Sequence, residues 1–133
     1  MSEDRSATAP LVVALDHCSL IVANTAKALE FYQGILLLEV DESRPDLGYP
    51  GAWLKVGNGQ IHLLEVINPY SAKDRTQHGG RDYHLALKVT DLSRVMLSLQ
   101  QAGIAYSKSK SGRAALFCRD YDANTVELVE LVK

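Results

Sequence analysis

The chain has 133 residues, a net charge of −2, and 47% hydrophobic against 23% charged residues; that is material for one globular domain that can bury a core without disulfides. The slight acidic excess argues against a nucleic-acid partner, which calls for a basic surplus, and no apolar run approaches the ~18 residues of a membrane span. Two cysteines, Cys18 and Cys118, with no CxxC pair, exclude a disulfide framework and point to a cytoplasmic protein with buried, inert thiols.

In chain order, residues 1–10 are small and polar, with no apolar signal core, and read as a short disordered arm. A first strand is expected around Asp16-His17-Cys18-Ser19-Leu20-Ile21-Val22. A helix is expected over 25–34, with Ala28, Leu29, Phe31 and Tyr32 at helical spacing, Asn24 as N-cap and Gly34 at the C-terminal end. Three strand-like runs follow, near 36–41, 52–56 and 60–67, the last two separated by the turn Gly57-Asn58-Gly59. The stretch 68–80, NPYSAKDRTQHGG, is polar and rich in turn formers, so it reads as a linker. Beyond it the order recurs. There is a strand at Tyr83-His84-Leu85-Ala86-Leu87-Lys88-Val89, then a helix over 91–103 with Leu92, Val95, Met96 and Leu99 on one face. Strands follow near 105–108, 114–119 and 125–132, with Asp122-Ala123-Asn124 as the turn before the last.

The chain is thus an internal duplication: a first βαβββ module at 11–67 and a second at 81–133, within a single domain. DHCSLIV matches YHLALKV, and IHLLEV matches VELVEL, at nearly equal offsets. The fold class expected is α+β, with the two modules curling their mixed sheets into a cup-shaped, barrel-like cleft. One unit buries only one sheet face against its helix, so its other face needs a partner. Strand alternation puts Cys18, Leu20 and Val22 toward the first helix and His17, Ser19 and Ile21 toward the cleft. In the second module Leu85, Leu87 and Val89 face the helix, and His84, Ala86 and Lys88 face the cleft.

The matched positions carry the chemistry. His17, His62, His84 and Glu127 fall at equivalent places of the duplicated unit, all on strands. Approximate two-fold symmetry would bring three imidazoles and a carboxylate together, a donor set that suits one divalent ion such as Ni, Zn, Fe, Mn or Co. The fourth histidine, His78, lies in the linker and reads as a residue without a functional role. Arg81, after Gly79-Gly80, and Arg113, after Ser111-Gly112, precede cleft-facing strands. Their guanidinium groups are candidates for binding an anionic substrate, the alternative being solvated loop charges. Trp53 is a candidate cleft wall or core residue. Lys55 and Arg119 read as ordinary strand-edge charges.

The segments LDHCSLIV, ALEFYQGILLLEV, GNGQIHLLEV, YHLALKV and RDYDANTVELVEL resemble those of the vicinal oxygen chelate superfamily, the glyoxalase/bleomycin-resistance/extradiol-dioxygenase family, over nearly the whole chain. The resemblance implies two βαβββ modules around a divalent metal, with ligands on the first and fourth strands of each. Those positions are His17 and His62 in module one and His84 and Glu127 in module two. It further implies an enzyme of the glyoxalase type, a lyase or isomerase acting through a metal-stabilised enediolate on a small, oxygen-rich substrate, with Glu127 as base. One departure stands out: glyoxalase I has Glu where this chain has His62. The resemblance also admits an extradiol-type dioxygenase, which would use His17, His84 and Glu127; a thiol transferase of the fosfomycin-resistance type; an epimerase; and a non-catalytic drug-binding protein. It implies a homodimer, with the modules pairing either within a chain or across two.

Overall fold

The computed structural model describes residues 7–70, 72–73 and 75–132. The first six residues of the expected N-terminal arm lie outside these; residues 7–10 are exposed. The element order is β1 (His17–Val22), α1 (Thr25–Tyr32), β2 (Glu39–Val40), β3 (Gly51–Val56), β4 (Gly59–Glu65), then β5 (His84–Val89), α2 (Leu92–Gln101), β6 (Tyr106–Lys108), β7 (Ala115–Arg119) and β8 (Thr125–Glu130). The same sequence of elements occurs twice. Each half forms its own four-stranded mixed sheet, ordered β1-β4-β3-β2 and β5-β8-β7-β6. In both, the first strand runs parallel to the fourth and the remaining pairings are antiparallel. The two sheets remain separate and open within the chain rather than merging into one closed barrel.

The helices form where capping and periodicity agree. Asn24 accepts from the Lys27 N–H at 2.8 Å, and Asp91 accepts from the Arg94 N–H. A carboxylate from the end of the fourth strand also reaches each helix start. Glu65 Oε1 accepts from the Thr25 N–H at 2.7 Å, and Glu130 Oε1 accepts from the Leu92 N–H at 2.9 Å. Negative charge there meets the positive end of the helix dipole. Gly103 ends α2 in the left-handed region (φ 71°), with the Ile104 N–H returning to the Leu99 carbonyl.

Alternation then sorts the strands. Leu54, Ile61 and Leu63 of module one and Leu116, Cys118, Val126 and Leu128 of module two join Phe31, Tyr32 and Leu99 in one apolar cluster spanning both halves. The modules are tied at the β7–β8 turn. Asp122 Oδ1 accepts from the Ala23 N–H at 2.9 Å, Asn124 Nδ2 donates to the Ile21 carbonyl, and Lys27 Nζ lies 4.3 Å from the Tyr121 ring centroid. Cys118 is buried and Cys18 partly so; both are free. Burial, then the nearby Asp120 charge, pushes the Cys118 thiol up to about 12, and burial raises Cys18, which fits inert thiols.

The opposite sheet faces differ between the halves. Over module two, the 3-10 turn Gly79–Arg81 lies against β7 and β8, so close that a Cβ on Gly79 would collide with the Thr125 methyl group and press on Phe117. The linker is fastened there by Asp82. Its Oδ2 accepts from Arg75 Nε at 2.6 Å and from Arg119 Nη1 at 2.8 Å, while Arg119 Nη2 donates to the Thr76 carbonyl at 2.6 Å. Arg119 Nη1 also engages Thr125 Oγ1 and the Ala123 carbonyl. Arg119 is therefore the clamp between linker and sheet, not an ordinary strand-edge charge. Lys55, by contrast, forms an exposed pair with Glu39 at 3.0 Å.

Candidate metal centre

Of the four matched positions, the structure joins two pairs. In module two, Ala86 and Glu127 are register partners on β5 and β8, and His84 lies on the same face of β5 as Ala86. His84 Nδ1 donates to the Asp82 carbonyl at 2.8 Å, which leaves Nε2 as the ring nitrogen available to an ion. That Nε2 lies 3.2 Å from Glu127 Oε1, and Glu127 is only 7% exposed. Two donors each ~2.1 Å from a common ion at about a right angle stand roughly 3 Å apart, so this spacing suits a shared ion.

In module one, His17 Nδ1 faces Asp16 Oδ2 at 2.7 Å, again leaving Nε2 open. His62 packs flat on His17, with ring centroids 3.9 Å apart and planes 16° apart, and its other face stacks on Trp53 at 4.4 Å. The neighbours of His62 assign its proton. Gln60 Nε2 donates to Asp41 Oδ2 at 2.7 Å, so Gln60 Oε1 is turned to accept from His62 Nε2 at 2.8 Å. The third imidazole thus differs from the other two in having its Nε2 engaged. Burial holds His62 below the ordinary histidine range; the charges of His17 and Arg44 add to this, and Asp16 opposes it.

Among the described residues, no three His, Cys, Asp or Glu side chains gather closely enough to hold an ion within one chain. The open Nε2 atoms of His17 and His84 and the buried Glu127 carboxylate form two half-sets on the two sheets. Trp53 sits beside the first half-set, while Arg81 and Arg113 are exposed.

Two features were not placed at the site by sequence reasoning. The linker histidine His78 donates or accepts at Ser107 Oγ (2.6 Å) and meets the Phe117 ring at 5.0 Å; that same ring lies 5.1 Å from His84. A cavity of about 560 Å³ opens here, lined by His78, Ser107, Phe117, Lys108, Lys110 and Arg119, adjoining the His84 half-set through Phe117. The second is Arg44, in the loop between β2 and β3, whose Nη2 donates to the Tyr49 carbonyl at 2.8 Å. Proximity of Gly-Gly to His78 was visible in the sequence; the approach of Arg44 to Tyr49 and Gly51 depends on how its loop folds back.

The fold agrees with those of known proteins. The family model described as "Glyoxalase/Bleomycin resistance protein/Dioxygenase superfamily" matches residues 14–128, and the chain belongs to that superfamily. It is 29% identical over 124 residues to "Glyoxylase I 4" of Arabidopsis thaliana, covering 88% of this chain and 70% of that protein. Its fold is shared with a glyoxalase family protein of Bacillus anthracis (TM-score 0.75, 21% identity, 92% of this chain and 98% of the other). It is shared too with a single-site mutant of the fosfomycin resistance protein FosX of Listeria monocytogenes, complexed with Mn(II) and 1S,2S-dihydroxypropylphosphonic acid (TM-score 0.73, 17% identity, 92% and 95% covered). No helix among the described residues is long and apolar enough to cross a membrane.

Proposed function

We propose that this protein is a metal-dependent lyase or isomerase of the glyoxalase type, acting on a small, oxygen-rich, anionic substrate. The observation that carries the reading is the His84–Glu127 pair at 3.2 Å, with His84 Nδ1 committed to the Asp82 carbonyl so that Nε2 faces the carboxylate. His17, His84 and Glu127 would hold one divalent ion, and His62 is the fourth position of the set, entering it once its Nε2 leaves Gln60. FosX, of the same fold, carries Mn(II), which supports a divalent ion without fixing which.

The two half-sets reach one ion when two copies face each other, the first module of one against the second module of the other. A homodimer is therefore part of the proposal. Leu11, Val12, Val13 and Leu15 are 96%, 81%, 90% and 94% exposed, an apolar run just before β1 that a second copy would cover.

The bound ion would supply Lewis-acid stabilisation of charge developing on two neighbouring substrate oxygens. Glu127 is the one carboxylate of the set and is buried, so it is placed to take and return the proton at the reacting carbon. Asp82 keeps His84 in the needed tautomer, and Asp16 does the same for His17. Trp53 walls the cleft, with Arg81 and Arg113 at its exposed rim toward the anionic end of the substrate.

The test is a panel on metal-loaded protein: a methylglyoxal–thiol adduct, a catechol with oxygen-uptake readout, and an epoxide antibiotic with thiols. Isomer formation from the adduct is expected, and Glu127→Gln should abolish it while leaving the fold intact; a fully active Glu127→Gln protein removes Glu127 as base. The His62–Gln60 bond favours one second reading. With His62 outside the set, three donors leave open positions for catechol and oxygen, as in an extradiol dioxygenase. Oxygen uptake in the catechol arm would select it.

A further inference from the structure

Arg44 is held in a way that its surroundings do not explain. It lies in the loop between β2 and β3, and its only acceptor within the described residues is the neutral Tyr49 carbonyl, reached by Nη2 at 2.8 Å. Its Nε is buried without a hydrogen-bond partner, the one buried side-chain polar atom so left among the described residues. No carboxylate pairs with it there, although Asp41 and Asp46 lie in the same loop. Asp41 is committed to Ser43 and Gln60, and Asp46 to the Gly48 N–H. The guanidinium carbon stands 5.4 Å from the Tyr49 ring centroid, so the ring supports the group from one side.

Its position is also specific. A Cβ on Gly51 would press on Arg44 Nη2 at 3.1 Å and collide with the Leu63 carbonyl oxygen, so the absence of a side chain there makes room for the guanidinium. Gly51 and Trp53 share one face of β3 by alternation, and Trp53 stacks on His62. A partly buried cation with an orphaned donor and no counter-ion is unfavourable unless an acceptor completes it. Nε and the second hydrogen of Nη2 form the side-on edge that matches a carboxylate or phosphate in a bidentate manner.

We propose that Arg44 is the anion-recognising residue of the module-one face, binding a carboxylate or phosphate group of the substrate beside Trp53 and His62. Its place next to the metal rests on the function proposed above; the anion site itself belongs to a single chain and needs no metal. Trp53 is the only tryptophan of the chain and stands two residues from Gly51, so its fluorescence reports on the site.

The experiment titrates metal-free protein with inorganic phosphate and, separately, with acetate at constant ionic strength, reading Trp53 emission. The wild type should show a saturable change with at least one of them, and the two arms tell phosphate from carboxylate. Arg44→Gln should weaken that binding about tenfold or more, and Arg44→Lys should weaken it by a smaller factor, since the charge stays but the planar fork is lost. Circular dichroism checks that Arg44→Gln folds, and Arg44→Lys carries the test if it does not. Wild-type affinity in either folded variant, or no saturable change in the wild type with either anion, overturns the proposal. Metal content is measured separately. A chain that takes up no metal yet binds phosphate through Arg44 would sink the metal centre and leave the anion site standing.

Discussion

The Tyr32 hydroxyl donates to Asp120 Oδ2 at 2.6 Å, joining the helix of the first module to the β7–β8 turn of the second in a fully buried setting. Asp120 also accepts from Asn124 Nδ2 and from the backbone N–H groups of Asp122 and Asn124. Burial nonetheless raises its carboxyl above the usual range, and burial with the Asp120 charge lifts the Tyr32 phenol well above its own. Tyr32→Phe keeps the ring packed on Phe31 but removes one donor from a buried carboxylate. The expected loss is ~1–3 kcal/mol of stability in urea unfolding, with metal uptake unchanged. A variant as stable as the wild type would show that this hydrogen bond adds nothing to the joint between the two modules.

Asp82 has the opposite behaviour. Burial alone would raise its carboxyl, but hydrogen bonds from Arg119 and Arg75 and from the Tyr83 N–H, with the charge of Arg75, outweigh it and hold the group at about 2. A folded value below the unfolded one means stability that is present above the unfolded value of about 4 and is lost as pH falls toward 2. Asp82→Asn should therefore be less stable than the wild type by on the order of 2 kcal/mol at neutral pH. That gap should stay flat down to about pH 4 and close below it. A gap independent of pH down to 2 would mean that the Arg75 and Arg119 contacts do not depend on the carboxylate charge.

The donor set predicts an order among variants. His17→Ala, His84→Ala and Glu127→Ala should each abolish uptake of about one divalent ion per chain, read by elemental analysis after reloading. His62→Ala should weaken uptake only about 10–100-fold, because its Nε2 is engaged by Gln60 and its ring acts first on the orientation of His17. Total loss in His62→Ala together with retention in His17→Ala would invert the proposed roles. Mixing His17→Ala and Glu127→Ala chains should restore about one site per mixed dimer, so about one per four chains after random exchange, if the site is shared between subunits; no recovery after subunit exchange would overturn the shared-site dimer.

Much of this was legible in the sequence, because strand alternation and helix periodicity are local signals. The two βαβββ runs, the Asn24 cap, and the placement of His17 and His84 on the exposed faces of their strands follow from residue spacing alone. The helix ends fall slightly earlier than expected: α1 stops at Tyr32, and Gly34 is instead required because a Cβ there would meet the Glu30 carbonyl oxygen. What spacing does not show is which nitrogen of an imidazole is occupied. That depends on Gln60, which is fixed in turn by Asp41 from another strand end. Nor does it show Arg119 gripping the linker through Asp82 and Thr76, or Arg44 folding back over Gly51, since these contacts arise only when loops return to the sheets.

The helix-start carboxylates give a further expectation. Glu65→Ala and Glu130→Ala should each lower stability by about 1 kcal/mol, and the double variant by nearly the sum, since they serve different helices. A much larger loss in the double variant would reveal coupling between the halves, read as a shift in the thermal midpoint beyond additivity.

Those two acids say something about how such a chain can change its chemistry. Each ties the tip of a fourth strand to the start of its own helix, three residues beyond the position that is His62 in one half and Glu127 in the other. The frame was copied with its rivets in place, while the seat meant for a reagent was left free to diverge. A substitution at that seat can therefore alter what the protein does without loosening the joint that gives it shape.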